Sequence, residues 1–291
     1  MAGRLVLVLG MHRSGTSAMT RSLQCLGVDL CDSLIGHPCN PKVFFEDTDL
    51  CACNKTLLSG LGKEWHSPDM LDTTALMRMS GDSPGRQALA LIQNKTAGRA
   101  ILGLKDPRMC RLLPFWRPVL AAAGLEVHAL LALRHPSSVA HSLARRDGMS
   151  SEHSHALWLL HTLDALSGSR GLPRMVVDYD MLLAEPERQV QRLGIFLSRE
   201  PDAAQLADFA HDFLDKTLCH HQSGPTSAQG ASLWEDMALR LYAALHPIAG
   251  EDGPLDASPL APRLEALCLR LRERASRLPA PGRSFRTGFG A

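Results

Sequence analysis

The chain has almost no net charge, few aromatic residues, no paired-cysteine metal signature and no long apolar run. Lys+Arg total 31 against Asp+Glu 30, which excludes a bulk electrostatic attraction to nucleic acid or to an anionic membrane. Aromatic residues make up 5% of the chain, and the apolar fraction of 45% is ordinary for a globular protein. Eight cysteines stand at 25, 31, 39, 51, 53, 110, 219 and 268, none in a CxxC pair, and Cys51-x-Cys53 has no second pair to complete a zinc site. They read as reduced, mostly buried thiols of a cytoplasmic protein, with no metal expected. No apolar stretch approaches the roughly 20 residues of a membrane span. The Leu5–Leu9 run is shorter than a signal-peptide core and leads into a glycine loop, so it reads as a strand.

A further absence is a single lysine. Residues 5–17, Leu-Val-Leu-Val-Leu-Gly-Met-His-Arg-Ser-Gly-Thr-Ser, run from an apolar strand into a Gly-x4-Gly loop followed by two hydroxyl residues. A nucleoside-triphosphate loop needs lysine after its second glycine; here Thr16 stands there, and the nearby cation is Arg13, inside the loop. Gly10 and Gly15 still permit a tight turn whose N–H groups face an anion, and the following helix adds its positive end. The loop is therefore expected to hold a phosphate-like group through Arg13, Ser14, Gly15, Thr16 and Ser17, without the lysine that reaches a β/γ-phosphate.

The 291 residues suit an α/β core with a helical C-terminal part. Strands are expected at 5–9, Ala100–Leu104, Glu126–Leu133 and Arg174–Val177. Helices are expected from Gly15 to Leu26, from Phe44 to Leu58, after Pro136, from Glu152 to Leu166, and over Pro186–Leu197. Alternation of strand and helix predicts a three-layer fold with a mainly parallel central sheet covered on both faces. Beyond residue 200 the strand signal ends, and 202–216, 232–245 and 260–278 read as amphipathic helices. Segments 29–43, 60–85 and 222–231 read as loops. The division expected is one domain: a core over 1–200, a helical region over 201–280 and a tail over 281–291. The arginine-rich 263–277 stretch reads as a solvated helix face.

Two more constellations carry chemistry. Arg134-His-Pro-Ser-Ser-Val-Ala-His-Ser142 places an arginine at a strand end and a serine two helical turns later. A planar guanidinium fork, a hydroxyl and a helix N-terminus can converge on one anion. With the first loop, this predicts a ligand carrying two separated anionic groups. Glu46, Asp47, Lys105, Asp106 and Arg108 form a polar set, with Lys105-Asp106 leaving a strand end, where α/β proteins place ligands. Lysine there can neutralise charge on a reacting group and a carboxylate can accept a proton, while a salt-bridged loop pair explains the same residues.

These three constellations together resemble the sulfotransferases that use 3′-phosphoadenosine 5′-phosphosulfate (PAPS). His12-Arg-Ser-Gly-Thr-Ser17 is similar to that family's 5′-phosphosulfate loop, and Arg134 to Ser142 matches its Arg-x-Pro-x-x-x-x-x-Ser 3′-phosphate motif. A bacterial-type branch is resembled through Asn40-Pro-Lys-Val-Phe-Phe-Glu46-Asp47, Leu104-Lys-Asp-Pro-Arg108, Ala156-Leu-Trp158, Val177-Asp-Tyr-Asp180 and Phe213–His221. The resemblance spans about residues 4–221.

The resemblance implies a P-loop-type fold and sulfuryl transfer from PAPS to a small-molecule or glycan hydroxyl or amine, with no nucleic acid, membrane span or metal. Arg13 and Lys105 would stabilise charge on the transferring group. Residues 14–17 would hold the 5′-phosphate, and Arg134 with Ser142 the 3′-phosphate. The family's cytosolic members carry a catalytic histidine two residues after a strand-end lysine, where this chain has Pro107. Glu46 takes the base role, with Asp106, His12, His220 and His221 as alternatives. Lys216 and Arg283 are candidates for a further C-terminal cofactor contact. A P-loop small-molecule kinase and a non-catalytic nucleotide-binding protein are the competing readings.

Overall fold

The computed structural model describes residues 3–31, 45–214 and 232–282. Lys216, His220, His221, Arg283 and the 222–231 loop lie outside the described residues. In chain order the elements are β1 (Arg4–Leu9), α1 (Thr16–Gln24), β2 (Asp29–Leu30), α2 (Thr48–Gly60), α3 (Thr73–Gly81), α4 (Ser83–Thr96) and β3 (Ile101–Lys105). Then follow α5 (Met109–Ala122), β4 (Glu126–Leu133), α6 (Pro136–Asp147), α7 (Ser151–Gly168), β5 (Arg174–Asp178), α8 (Tyr179–Ala184) and α9 (Pro186–Leu197). After α10 (Ala203–Asp208) comes a π-helical turn over Phe209–Phe213, and α11 (Leu233–Ala249) and α12 (Ala261–Ser276) close the described chain.

The strands form one five-stranded sheet in the order β2-β3-β1-β4-β5, and every pairing is parallel. Parallel strands need their faces covered, and the period-two alternation of β1 shows how. Leu5, Leu7 and Leu9 face the side filled by α5, α7 and α11, while Val6 and Val8 face the side filled by α1, α8 and α9. The result is the expected three-layer α/β fold. The C-terminal helices belong to the first of these cores: Trp234, Leu241 and Leu245 of α11 and Leu264 and Leu271 of α12 are buried in it.

Several boundaries differ from the sequence reading. The first helix begins at Thr16, because Gly15 sits at φ +81° and cannot join it. α2 begins at Thr48, since Asp47 is its N-cap and accepts from the N–H groups of Asp49 and Leu50. The 60–85 stretch is not a loop throughout, for α3 occupies Thr73–Gly81 behind the cap of Asp72. At residues 29–30 a two-residue edge strand pairs with β3. The 202–216 helix divides into α10 and the π turn, which ends at Phe213. Among the described residues, Cys25, Cys31, Cys51, Cys53, Cys110 and Cys268 are free thiols, and no helix is long and apolar enough to cross a membrane.

His161 on α7 gives the fold a pH signature. It is fully buried, its Nδ1 lies 2.8 Å from the Leu157 carbonyl, and burial, then the charge of Arg111, pushes its pKa down to about 3. An unfolded histidine titrates near 6.5, so the neutral form favours the fold. This contribution is present in full above about pH 6.5 and is lost progressively as the pH falls toward about 3. His161→Leu should flatten the slope of unfolding free energy below pH 6.5 by up to about 1.4 kcal/mol per pH unit. Urea melts between neutrality and acid pH read this directly; an unchanged slope contradicts it.

Candidate functional site

The sheet register puts the site's residues on one edge. Val8 of β1 pairs with Lys105 of β3, Leu9 with Leu131 of β4, and Leu133 of β4 with Asp178 of β5. The carboxyl ends of four strands thus release Gly10, Asp106, Arg134 and Tyr179 at one rim. From β1 the chain goes first toward β3 and β2, then returns to β4 and β5. The β1–β4 boundary is therefore the switch point where open α/β sheets bind ligands.

The Gly10–Ser17 loop wraps from this rim into α1. A Cβ at Gly10 would lie 2.7 Å from Ala132 Cβ, and one at Gly15 would lie 2.1 Å from Tyr179 Cδ2. Both glycines are therefore required by packing, and Gly15 by its positive φ as well. Arg13 also adopts a left-handed φ of 70°, an uncommon conformation for a residue with a Cβ and one that clusters at ligand clamps.

Two sequence motifs that stand far apart meet here. Arg13 Nε donates to Ser142 Oγ at 2.7 Å across 129 residues of chain. Arg134 donates through Nη1 to the Arg13 carbonyl at 3.0 Å, and its guanidinium lies 4.5 Å from the centre of the Tyr179 ring. Trp158 Nε1 in turn donates to the Arg134 carbonyl at 3.1 Å, fixing the strand end. Partial burial, then the like charges of Arg146 and Arg134, lowers the pKa of Arg13. An anion placed among guanidiniums that disfavour one another would relieve their mutual repulsion. Ser14 Oγ, Arg134 Nε and Ser137 Oγ are buried without a hydrogen-bond partner, and a buried orphan of this kind costs about 1–3 kcal/mol.

The third constellation assembles beside the loop. Lys105 Nζ donates to Glu46 Oε1 at 2.6 Å, with side-chain exposures of 2% and 13%. Asp106 is fully buried and both its oxygens are engaged. Oδ1 accepts from the Arg108 backbone N–H and from Arg108 Nη1, each at 2.9 Å. Oδ2 accepts from Asn54 Nδ2 at 2.8 Å, and Asn54 Oδ1 accepts from Trp116 Nε1 at 2.8 Å. This chain locks α2 against the end of β3. The start of α2 is locked separately, by Lys95 of α4 donating to Asp47 Oδ2 at 2.7 Å and to Asp49 Oδ2 at 2.8 Å. Ligand-type atoms of Glu46, Cys51 and Asp106 lie within 4.8 Å of one another, and the cations of Lys105 and Arg108 already bind the two carboxylates.

Sequence reasoning gave no site role to Tyr179, which it met only inside the Val177–Asp180 motif, or to Arg146, Trp65, Asn54 or Lys95. Arg146 carried a signal, since it lies four residues after Ser142 and so shares its face of α6. Tyr179 directly follows a strand end, the same kind of position as Arg134. Trp65, in the segment after α2, touches the loop only through tertiary packing, its ring centre 4.5 Å from that of His12.

No protein-family model matches the chain, and no curated protein does. Among solved structures it is similar to a sulfotransferase domain from the Synechococcus PCC 7002 olefin synthase, with 17% identity, a TM-score of 0.48, and coverage of 84% of this chain and 96% of the other. A sulfotransferase domain from the curacin biosynthetic pathway shows 18% identity and a TM-score of 0.44, over 94% of this chain and 98% of the other. A sulfotransferase of Mycobacterium tuberculosis H37Rv shows 14% identity and a TM-score of 0.41, over 74% and 72%.

Proposed function

We propose that this chain is a PAPS-dependent sulfotransferase, passing the sulfuryl group to an acceptor hydroxyl or amine. The observation that carries the reading is the joining of two anion-binding motifs, through Arg13 to Ser142 and Arg134 to the Arg13 carbonyl. A donor with a 5′-phosphosulfate and a separate 3′-phosphate matches this pair of sites, and a triphosphate does not, because Thr16 replaces the lysine such a tail needs. The orphaned Ser14 Oγ and Arg134 Nε are the kind of buried groups that donor oxygens would satisfy.

In this reading the backbone N–H groups of 14–17, with the hydroxyls of Thr16 and Ser17, hold the 5′-phosphate at the N-terminus of α1. Arg134 and Ser142 hold the 3′-phosphate. Arg13 and Lys105 balance charge on the sulfuryl oxygens and on the oxygen that bridges sulfur to phosphorus. The acceptor oxygen forms a bond to sulfur while the sulfur–bridging oxygen bond breaks. Its electron pair stays on the phosphate, which leaves as 3′-phosphoadenosine 5′-phosphate. Glu46 takes the acceptor's proton. By analogy with phosphoryl transfer, alignment and charge neutralisation do most of the work. Asp106 acts here through position: Oδ1 accepts twice from Arg108 and Oδ2 from Asn54, which ties α2 to the end of β3.

Arg134→Ala should weaken binding of 3′-phosphoadenosine 5′-phosphate about 10–150-fold, from a charged hydrogen bond worth roughly 1.5–3 kcal/mol. Adenosine 5′-phosphate, which lacks the 3′-group, should lose much less. Calorimetric titration of both ligands checks the assignment, and an unchanged bisphosphate affinity contradicts it.

A further inference from the structure

The backbone reaches Glu46 through an uncommon conformation. Phe45, the residue before it, has a φ of 55°, a left-handed turn that a bulky side chain adopts only where its surroundings impose it. From Asp47 onward the chain is fixed by the α2 cap and by Lys95. That anchor holds Glu46 from its C-terminal side alone. The direction in which the Glu46 side chain leaves the backbone depends also on the preceding peptide, and so on Phe45.

The Phe45 ring packs on Phe213, with centres 6.0 Å apart and planes tilted by 59°, an attractive aromatic geometry. Phe213 ends the π-helical turn, which the Leu214 N–H closes by donating to the Phe209 carbonyl at 3.0 Å. Turns of this kind are frequent at functional sites. The Phe213 ring is itself held from two directions. It stacks on the fully buried Phe209, with centres 5.9 Å apart and planes at 20°. The guanidinium of Arg21, on α1, lies 5.8 Å from its centre and is tied to Asp208 and Gln205 of α10. Phe209 belongs to the core packed on α1, α8 and α9, so the ring that supports Phe45 is carried by the body of the fold. At the other end, Cys51 Sγ lies 3.8 Å from Glu46 Oε2 at 2% exposure. Burial, then the charge of Asp106, pushes the pKa of this thiol up, which keeps it unreactive while the segment is seated.

We propose that Phe213 is a positioning residue for sulfuryl transfer: through the Phe45 ring it holds the left-handed turn that aims Glu46 at the acceptor. This rests on the reading of Glu46 as the base and extends it to the π turn.

The test compares wild type, Phe213→Ala, Phe213→Tyr and Phe45→Ala by three measurements. These are turnover with PAPS and the best acceptor among glycerol, methyl glucoside, ethanolamine and phenol; titration with 3′-phosphoadenosine 5′-phosphate; and iodoacetamide labelling of Cys51 and Cys110, resolved by peptide mass. Phe213→Ala should lower kcat about 10–100-fold, the cost of a reacting group displaced by about 1 Å, with bisphosphate affinity within about threefold of wild type. Phe213→Tyr keeps the ring and should recover most of the rate. Phe45→Ala removes the other ring and should give the same loss, and the double variant should lose no more than either single one. In the Glu46→Gln background, Phe213→Ala should cost less than about threefold further. Cys51 should label on the order of 10-fold faster in Phe213→Ala, while the fully buried Cys110 stays protected.

Wild-type turnover in Phe213→Ala, a full further loss in the Glu46→Gln background, a matching loss of bisphosphate affinity, or unchanged Cys51 labelling overturns the proposal. Cys110 labelling that rises in step with Cys51 reports general loosening and overturns it too. A wild type that fails to bind the bisphosphate, or full turnover in Glu46→Gln, instead removes the reading beneath it. If none of the four acceptors is sulfated, the labelling decides; if Phe213→Ala does not fold, Phe45→Ala is scored by the same rule.

Discussion

Glu46→Gln should lower kcat by about 10²–10⁴-fold, the usual contribution of a positioned base, while bisphosphate affinity stays close to wild type. The substitution keeps size and an oxygen for Lys105 but removes the carboxylate proposed to take the acceptor's proton. The local frame should survive it, because α2 is anchored independently: Asp47 caps its start and is bound by Lys95, and Asn54 ties its middle to Asp106. Steady-state rates with an acceptor in excess give kcat, and titration gives the affinity. Full turnover in this variant would move the base to another residue. Loss of bisphosphate affinity in step with rate would make Glu46 a donor contact.

Lys105→Met should lower kcat by about 10²–10³-fold, the range found when one charge-stabilising donor is removed from a transition state. Lys105 is almost wholly buried and bonded to Glu46 at 2.6 Å, so the proposed base and the cation stand within one hydrogen bond of each other. The variant also leaves Glu46 without this partner, which should lower thermal stability. The two effects separate by measuring rate and melting temperature together. Lys105→Arg should restore the charge and most of the stability while leaving the rate depressed, because a wider guanidinium cannot reproduce a point charge in that space. A Met variant that melts lower but turns over normally would confine Lys105 to a structural role.

Much of this architecture could be read in the chain because the physics is local. β1 and β4 are apolar runs bounded by a glycine loop and an Arg-His-Pro turn, and a buried parallel strand needs little else. β2 could not be read, since two residues at a sheet edge have no periodicity. α3 escaped because Leu76 is its one fully buried residue; its cap at Asp72 was the available signal. For the site, the Arg-x-Pro and Gly-x4-Gly spacings located Arg134, Ser142 and Arg13. Neither spacing says that Tyr179 fills the space a side chain at Gly15 would need. That is a property of β5 lying beside β4. Glu46 was the expected base and Asp106 an alternative; what the spacing could not say is that Asp106 is bound by Asn54 and Arg108 while Glu46 faces Lys105.

On the proposed reading, the loop and the α6 N-terminus together bind a nucleotide with anions at both its 3′ and 5′ positions. Its most direct test is calorimetric titration of the protein with 3′-phosphoadenosine 5′-phosphate, adenosine 5′-phosphate and ATP with magnesium under one set of conditions. The bisphosphate should bind at least about 10-fold tighter than either of the others, as expected for a charged contact to the 3′-phosphate. Binding of ATP with magnesium as tight as, or tighter than, the bisphosphate would contradict the account and return the loop to the triphosphate-binding class.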